Sequence, residues 1–185
     1  MRTKFIALMG LSGAGKSYFK KQSVKAISGI KPLIAVTTRP PREGEQHKID
    51  KYFIPENNFY HAVPSGMISF QQEIYGAKYG FYQRDLNREG VFIVELFYAD
   101  YKEFKEKYPE TIFILIKARD EKRRRKMLAF RSDAEARIRQ DERIQKVLEG
   151  MEQRGCFPYV FENSYDDQSS KQFLEWIDTI NDGRR

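Results

Sequence analysis

Apolar residues in this chain come in short, dense runs separated by longer stretches of mixed polarity. Five runs read as strands: Phe5–Met9, Pro32–Val36, Gly90–Leu96, Thr111–Ile116 and Tyr159–Asn163. Short, nearly continuous apolar runs fit parallel strands covered on both faces. Between them, apolar residues spaced three or four apart predict helices over Tyr18–Ile27, Gln83–Arg88, Tyr98–Tyr108, Asp120–Phe130, Asp133–Arg154 and Ser170–Ile180. In the long polar helix, Ile138, Ile144, Val147, Leu148 and Met151 form a thin apolar stripe. Strands alternating with helices imply an α/β fold with a parallel sheet core covered by helices, and ligands on such sheets bind at the carboxyl ends of the strands.

The stretch 36–86 departs from that rhythm. It holds a proline-rich loop, a strand over Lys51–Ile54, a short helix over Glu56–Ala62 and a turn at Pro64-Ser65-Gly66. An aromatic, alternating segment from Met67 to Tyr82 then reads as a hairpin. The expected organisation is a core of residues 1–35 and 87–185 interrupted by a small insertion, 36–86.

Between the first strand and the first helix runs Gly10-Leu11-Ser12-Gly13-Ala14-Gly15-Lys16-Ser17. This is the glycine, four residues, Gly-Lys-Ser pattern of a phosphate-binding loop. Its glycines allow a tight turn that brings backbone N–H groups against an anion, helped by the positive end of the following helix dipole. Lys16 is placed for terminal phosphates and the Ser17 hydroxyl for Mg²⁺. A second loop, Thr37-Thr38-Arg39-Pro40-Pro41-Arg42-Glu43-Gly44-Glu45, cannot be regular helix. It carries Arg39 and Arg42 on a stiffened backbone, which suits a second phosphate group, with Glu45 able to orient an arginine. A solvated basic loop is the other reading of the same residues.

Composition narrows the ligand. The 185 residues include 33 basic against 26 acidic, a net charge of +7. Such a balance suits a polyanion: nucleic acid, a membrane surface or nucleotide phosphates. The basic residues lie around the two phosphate loops rather than in a tail, so small-molecule nucleotides are expected, with no nucleic acid or membrane partner. The lone Cys156 excludes an internal disulfide framework and fits a reducing compartment. The apolar run near the N-terminus is about five residues long, too short for a signal core, and no run approaches the ~20 residues of a membrane span. A cytoplasmic monomer or homodimer is the expectation.

Taken together, Ser12–Ser17 and Thr37–Glu45, whose form is Thr-Thr-Arg-x-Pro-Arg-x-Gly-Glu, resemble the guanylate kinase family. Asp50 with Phe53, Tyr75-Gly76, Tyr79-Gly80, Arg131, Arg137-Ile138, Asp141 and Val160–Asn163 continue the resemblance in order across nearly the whole chain. The resemblance implies a P-loop kinase fold with an acceptor-binding insertion and a helical lid over about 119–143. It implies ATP and Mg²⁺ as cofactors and phosphoryl transfer to a nucleoside monophosphate, by family default GMP or dGMP. On the positions that match, Ser12, Gly13, Ala14, Gly15, Lys16, Ser17 and Asn163 are implied for ATP, with Ser17 on the metal. Arg39, Arg42, Glu45 and Tyr79 are implied on the acceptor side. Lys16, Arg39 and the lid arginines Arg131 and Arg137 act on the transferring phosphoryl group. Of the basic run Lys122–Lys126, one or two members are expected to reach the site.

Other positions depart from the pattern. Aligned without gaps on Tyr79-Gly80, the family's guanine-reading glutamate falls on Phe70 and its Ser/Thr on Phe81. A serine becomes Ala35, a tyrosine becomes Lys51, and the strand-end Asp-Ile-Asp becomes Glu95-Leu96-Phe97. Phe70, Phe81 and Glu95 are therefore candidate acceptor-site residues of altered chemistry. Losing two or three base contacts at ~1–3 kcal/mol each would weaken guanine recognition severely. Either Gln71, Gln72 or Glu73 replaces them, or the acceptor is another nucleotide or a sugar phosphate. A non-catalytic guanylate kinase-like binding domain is the remaining alternative, and retention of Lys16 and Ser17 speaks against it.

Overall fold

The computed structural model describes residues 3–129 and 134–181. Its elements in chain order are β1 (Lys4–Met9), α1 (Lys16–Ala26), β2 (Ile30–Pro32), β3 (Ala35–Thr37), β4 (Tyr52–Phe53), α2 (Glu56–Ala62), β5 (Ile68–Ile74), β6 (Ala77–Tyr82) and α3 (Gln83–Leu86). There follow β7 (Val91–Glu95), a 3₁₀ turn (Tyr98–Asp100), α4 (Tyr101–Lys107), β8 (Ile112–Ala118), α5 (Glu121–Ala129), α6 (Ala134–Gln153), β9 (Tyr159–Asn163) and α7 (Asp167–Asn181).

Five strands form a wholly parallel sheet in the order β2-β7-β1-β8-β9. Side chains alternate across it. Phe5, Ala7 and Met9 of β1 join Phe92, Phe104, Phe113, Ile144 and Leu148 on one face. Ile6 and Leu8 join Phe19, Ile114, Phe173 and Ile177 on the other. Helices α4 and α6 thus cover one side, α1 and α7 the other, and both faces of β1 lie in the core, as the unbroken apolar run predicts.

The run Pro32–Val36, expected as one strand, serves two sheets. Its start, β2, pairs with β7 in the parallel sheet, whereas β3 pairs with β4 and β6 in a second, four-stranded sheet of order β4-β3-β6-β5. The Leu33 N–H still reaches the Ile93 carbonyl, so the chain leaves the first sheet only after that bond. Pro32 has no N–H and suits the end of an edge strand. The first and last helices also begin earlier than the apolar spacing suggests, at Lys16 and Asp167, because their opening turns are polar and face the cleft. Among the described residues no helix is long and apolar enough to cross a membrane.

Candidate active site

A cleft of about 820 Å³ opens at the carboxyl ends of β1 and β7. The phosphate loop bounds one end, and the loop after β3 together with the second sheet bounds the other.

The loop's course is enforced by contact. A Cβ on Gly10 would lie 2.2 Å from the Ile116 carbonyl oxygen, and one on Gly15, which holds φ +106°, would lie 2.5 Å from Asn163 Nδ2. Three side chains from elsewhere fasten the loop's carbonyls. Arg124 Nη1 donates to Ser12 O at 2.6 Å, Tyr165 Oη to Gly13 O at 2.9 Å and Asn163 Nδ2 to Ala14 O at 2.9 Å. With its carbonyls turned outward to these donors, the loop is free to aim N–H groups inward. Lys16 Nζ lies across the loop, donating to the carbonyls of Gly10 and Leu11 at 2.7 Å each.

Beside it, Ser17 Oγ donates to Glu95 Oε2 at 2.7 Å, while Lys20 Nζ pairs with Glu95 Oε1 at 2.8 Å. Burial alone would raise the Glu95 pKa, but Lys20, Lys51 and the Ser17 hydroxyl outweigh it and hold the carboxyl far below its usual range. Burial among Lys20 and Arg39 in turn lowers Lys51 to about 8, against the opposing pull of Glu95. Ser17 and Glu95 together supply hard oxygen donors suited to Mg²⁺. No cluster of three or more His, Cys, Asp or Glu occurs among the described residues, and a nucleotide-borne Mg²⁺ needs none, since phosphates and water complete its shell.

At the other end, Arg39 and Glu45 form a two-pronged ion pair, Nη1 to Oε2 at 2.6 Å and Nη2 to Oε1 at 2.7 Å. The same carboxylate accepts the Arg42 backbone N–H at 2.8 Å. Burial opposes ionisation of Glu45, but these partners bring its pKa down to about 2. Arg39 also lies 5.3 Å over the Phe53 ring. Glu45 therefore shapes the arginine loop from within. Arg39, Arg42 and Tyr79 all line the cleft, and Asp50 ties the same loop to α1 through Lys21 at 2.5 Å.

Arg137 reaches the cleft from α6. Its Nη1 donates to Ser12 Oγ at 2.6 Å, and its guanidinium sits 4.2 Å over the Tyr75 ring. Arg131 lies outside the described residues. Of the basic run, Lys122, Arg125 and Lys126 are exposed. Arg124 is 1% exposed, held by Glu121 at 2.6 Å and Asp141 at 2.5 Å, and Arg123 lines the cleft beside Tyr165.

Phe70 and Phe81 border the cleft and are also core residues; Phe70 packs 4.9 Å from Phe104. Between Ser69 and Gln72 the pairing with β6 slips by one residue, and Phe70 takes a left-handed φ of +55°. Of the three replacement candidates, Gln71 and Glu73 are exposed, and only Gln72 lines the cleft. Gln72 Nε2 donates to Asp100 Oδ1 at 2.8 Å. Burial lifts the Asp100 pKa to about 7, with Gln72 opposing and Glu103 adding a like charge.

Sequence reasoning missed Lys20, Tyr165 and Asp100, and did not single out Arg124 within Lys122–Lys126. Lys20 follows Lys16 by one helical turn, a usable signal. Arg124 is hidden within a run of cations, and Asp100 becomes part of the cleft only through the fold.

Three comparisons bear on this arrangement. The model of the guanylate kinase family matches residues 2–179. The chain belongs to that family. It is 30% identical over 171 residues to the guanylate kinase of Coxiella burnetii, covering 90% of this chain and 82% of that protein. It is 25% identical over 181 residues to the guanylate kinase of Prochlorococcus marinus, covering 95% and 97%. The crystal structure of a guanylate kinase from Anaplasma phagocytophilum shares the fold at a TM-score of 0.68 and 15% identity, covering 96% of this chain and 86% of that one. As a member of the guanylate kinase family, the chain is an ATP-dependent nucleoside monophosphate kinase with a P-loop kinase fold. The family implies ATP and Mg²⁺, which the loop's donors fit.

Proposed function

We propose that this kinase transfers the γ-phosphoryl group of ATP to GMP or dGMP. One observation carries the reading: a single cleft is lined both by Lys16 and Ser17 and by Arg39, Arg42 and Tyr79. Two phosphate-holding sets facing one space are what a transfer between two phosphorylated molecules requires.

In this scheme the amides of Ser12–Ser17 and the Lys16 ammonium hold the donor phosphates, and Asn163 and Tyr165 keep the loop in shape. Lys16 leaves the carbonyls of Gly10 and Leu11 for phosphate oxygens. Ser17, with Glu95 behind it, would hold Mg²⁺, which when bound neutralises charge across the donor phosphates. Arg39 and Arg42, with Tyr79, hold the acceptor phosphate. One of its oxygens bonds to the γ-phosphorus as the bond to the β–γ bridging oxygen breaks, and ADP departs. Arg137, joined by Arg131, offsets the charge on the transferring group. Residues 36–86 act as the acceptor-binding insertion and about 119–143 as the lid, whose closure excludes water that would otherwise take the phosphoryl group. The setting is the cytoplasm.

A second reading, with a non-guanine acceptor, is favoured by the apolar groups Ala35, Phe70, Phe81 and Phe97 on the acceptor side of the cleft. ATP consumption measured against a panel of nucleoside monophosphates and sugar phosphates separates the two. Turnover led by GMP and dGMP is expected; preference for any other acceptor overturns the guanine assignment. Silence across the panel with ATP still bound would favour a binding role.

A further inference from the structure

A polar pair on the acceptor side has no part in the scheme above. Its position follows from strand parity. Directly opposed residues of an antiparallel pair share a face, so Tyr79 and Phe81 of β6 carry their partners Gln72 and Ser69 on that face. Three residues on β5 span two on β6, which is a bulge. Without it the sheet would present Ser69, Gln71 and Glu73 on this face; with it, Gln72 stands opposite Tyr79 and lines the cleft. Asp100, 4% exposed, arrives from the 3₁₀ turn after β7, three residues beyond Phe97. Phe70, Phe81, Phe97 and Tyr98 supply apolar walls around the same space.

Chemistry fixes what the pair offers. The Gln72 amide donates its N–H to Asp100 Oδ1 and keeps its oxygen for another partner, and the ionised form of Asp100 offers Oδ2 as a second acceptor. Gln72 Oε1 and Asp100 Oδ2 make no hydrogen bond among the described residues. Two acceptors in an apolar recess match a ligand edge with two neighbouring N–H donors.

We propose that Gln72 and Asp100 read the base of the acceptor, and that the base they fit is a 2-amino-6-oxopurine. The proposal rests on the monophosphate kinase reading of the cleft and assigns its specificity. Guanine presents a ring N–H beside an exocyclic amino group. Adenine and cytosine present an amino group beside a ring acceptor, uracil and thymine one N–H between two carbonyls, and hypoxanthine one N–H without the amino group. Only the guanine edge satisfies both oxygens. In this chain the reading groups stand two residues beyond Phe70 and three beyond Phe97, so the aromatic rings serve as walls.

The test compares GMP with IMP, which lacks the 2-amino group, in the full chain and in Asp100→Asn and Gln72→Ala. Wild type is expected to favour GMP over IMP by about 100-fold in kcat/KM. The substitution at the oxygen facing the 2-amino group is expected to lower kcat/KM for GMP about 10- to 100-fold while changing that for IMP less than about 3-fold, so the ratio falls toward unity; the substitution at the oxygen facing the ring N–H is expected to lower both. The KM for ATP, which a general loss of structure would also move, is expected to stay within about 2-fold. GMP turnover with a GMP-to-IMP ratio that neither substitution moves overturns the pair's role and leaves the kinase reading standing. Equal use of GMP and IMP by wild type overturns it without any variant. Absence of turnover with every nucleoside monophosphate overturns the kinase reading and the pair with it.

Discussion

The two ends of the cleft are held in shape by different parts of the chain. At the phosphate loop the fastening groups act on backbone: Arg124, Tyr165 and Asn163 each donate to a loop carbonyl. At the acceptor end the shape rests mainly on side chains facing side chains, Arg39 with Glu45 and Gln72 with Asp100. A backbone cradle recognises phosphate and is indifferent to the rest of the molecule, so a short local motif suffices to specify it. A base has to be read by individual donors and acceptors brought from separate elements, and each can move to a neighbouring position if the fold moves with it. The first end is constrained by geometry and the second by chemistry.

The sharpest way to break that comparison is at the loop itself. Lys16→Ala is expected to lower kcat by about 10³-fold or more, because phosphoryl transfer depends on positioned charge at the phosphates. Its melting temperature should stay within a few degrees of wild type, since the Lys16 bonds to Gly10 and Leu11 lie within a loop that Arg124, Asn163 and Tyr165 also hold. Steady-state ATP turnover beside a thermal melt checks both halves, and retained activity would remove the donor site from this position.

Next in size is Arg124→Ala. The substitution strips a 1%-exposed guanidinium from Asp141, itself 5% exposed, and frees the Ser12 carbonyl. Leaving a buried carboxylate without its partner costs about 3–5 kcal/mol. Denaturant unfolding should show that loss, with a weakened ATP affinity beside it. A loss under 1 kcal/mol would mean the loop is held by its own glycines and not from outside.

How much of this was legible in sequence follows the same division. The phosphate loop, the arginine loop and the strand end at Glu95 are local, carried by eight, nine and seven consecutive residues. The parallel core was legible because burial on both faces leaves β1 almost wholly apolar. What escaped depends on register and on long-range packing. The split of Pro32–Val36 between two sheets has no apolar signature, since both halves are buried in part. The bulge at Phe70 brings Gln72 rather than Gln71 opposite Tyr79 and to the cleft, and one residue of slip suffices for that. Arg124 looks like its exposed neighbours until Asp141, 17 residues on, is folded against it.

On the acceptor side, Arg42→Ala is expected to raise the KM for the monophosphate about 10- to 100-fold while moving the KM for ATP less than about 3-fold. Glu45 would still hold Arg39 through both prongs and accept the backbone N–H of residue 42, so the loop keeps its course while the guanidinium is lost. Initial-rate measurements with each substrate varied in turn check this. An equal rise in both constants would show that the two ends do not act separately.

The last expected effect has the opposite sign, and it distinguishes a residue kept for function from one kept for stability. Asp100 is buried beside Glu103, and its pKa is lifted from 3.8 to about 7. Between those values the folded chain binds a proton that the unfolded chain has released. The folded state therefore loses stability as pH rises from about 4 to about 7, and the cost is complete above that. Asp100→Asn keeps an oxygen for the Gln72 N–H and has no charge to bury, so it removes the cost. The variant should be more stable than wild type by about 1–4 kcal/mol at pH 8, with the advantage shrinking as pH falls through 7 and gone near pH 4. Unfolding followed at several pH values checks the sign as well as the size. A variant less stable at pH 8 would mark Asp100 as a structural anchor. A stabilised variant that uses GMP poorly would mark it as a carboxylate retained at the fold's expense, at the end of the cleft where specificity rests on side chains.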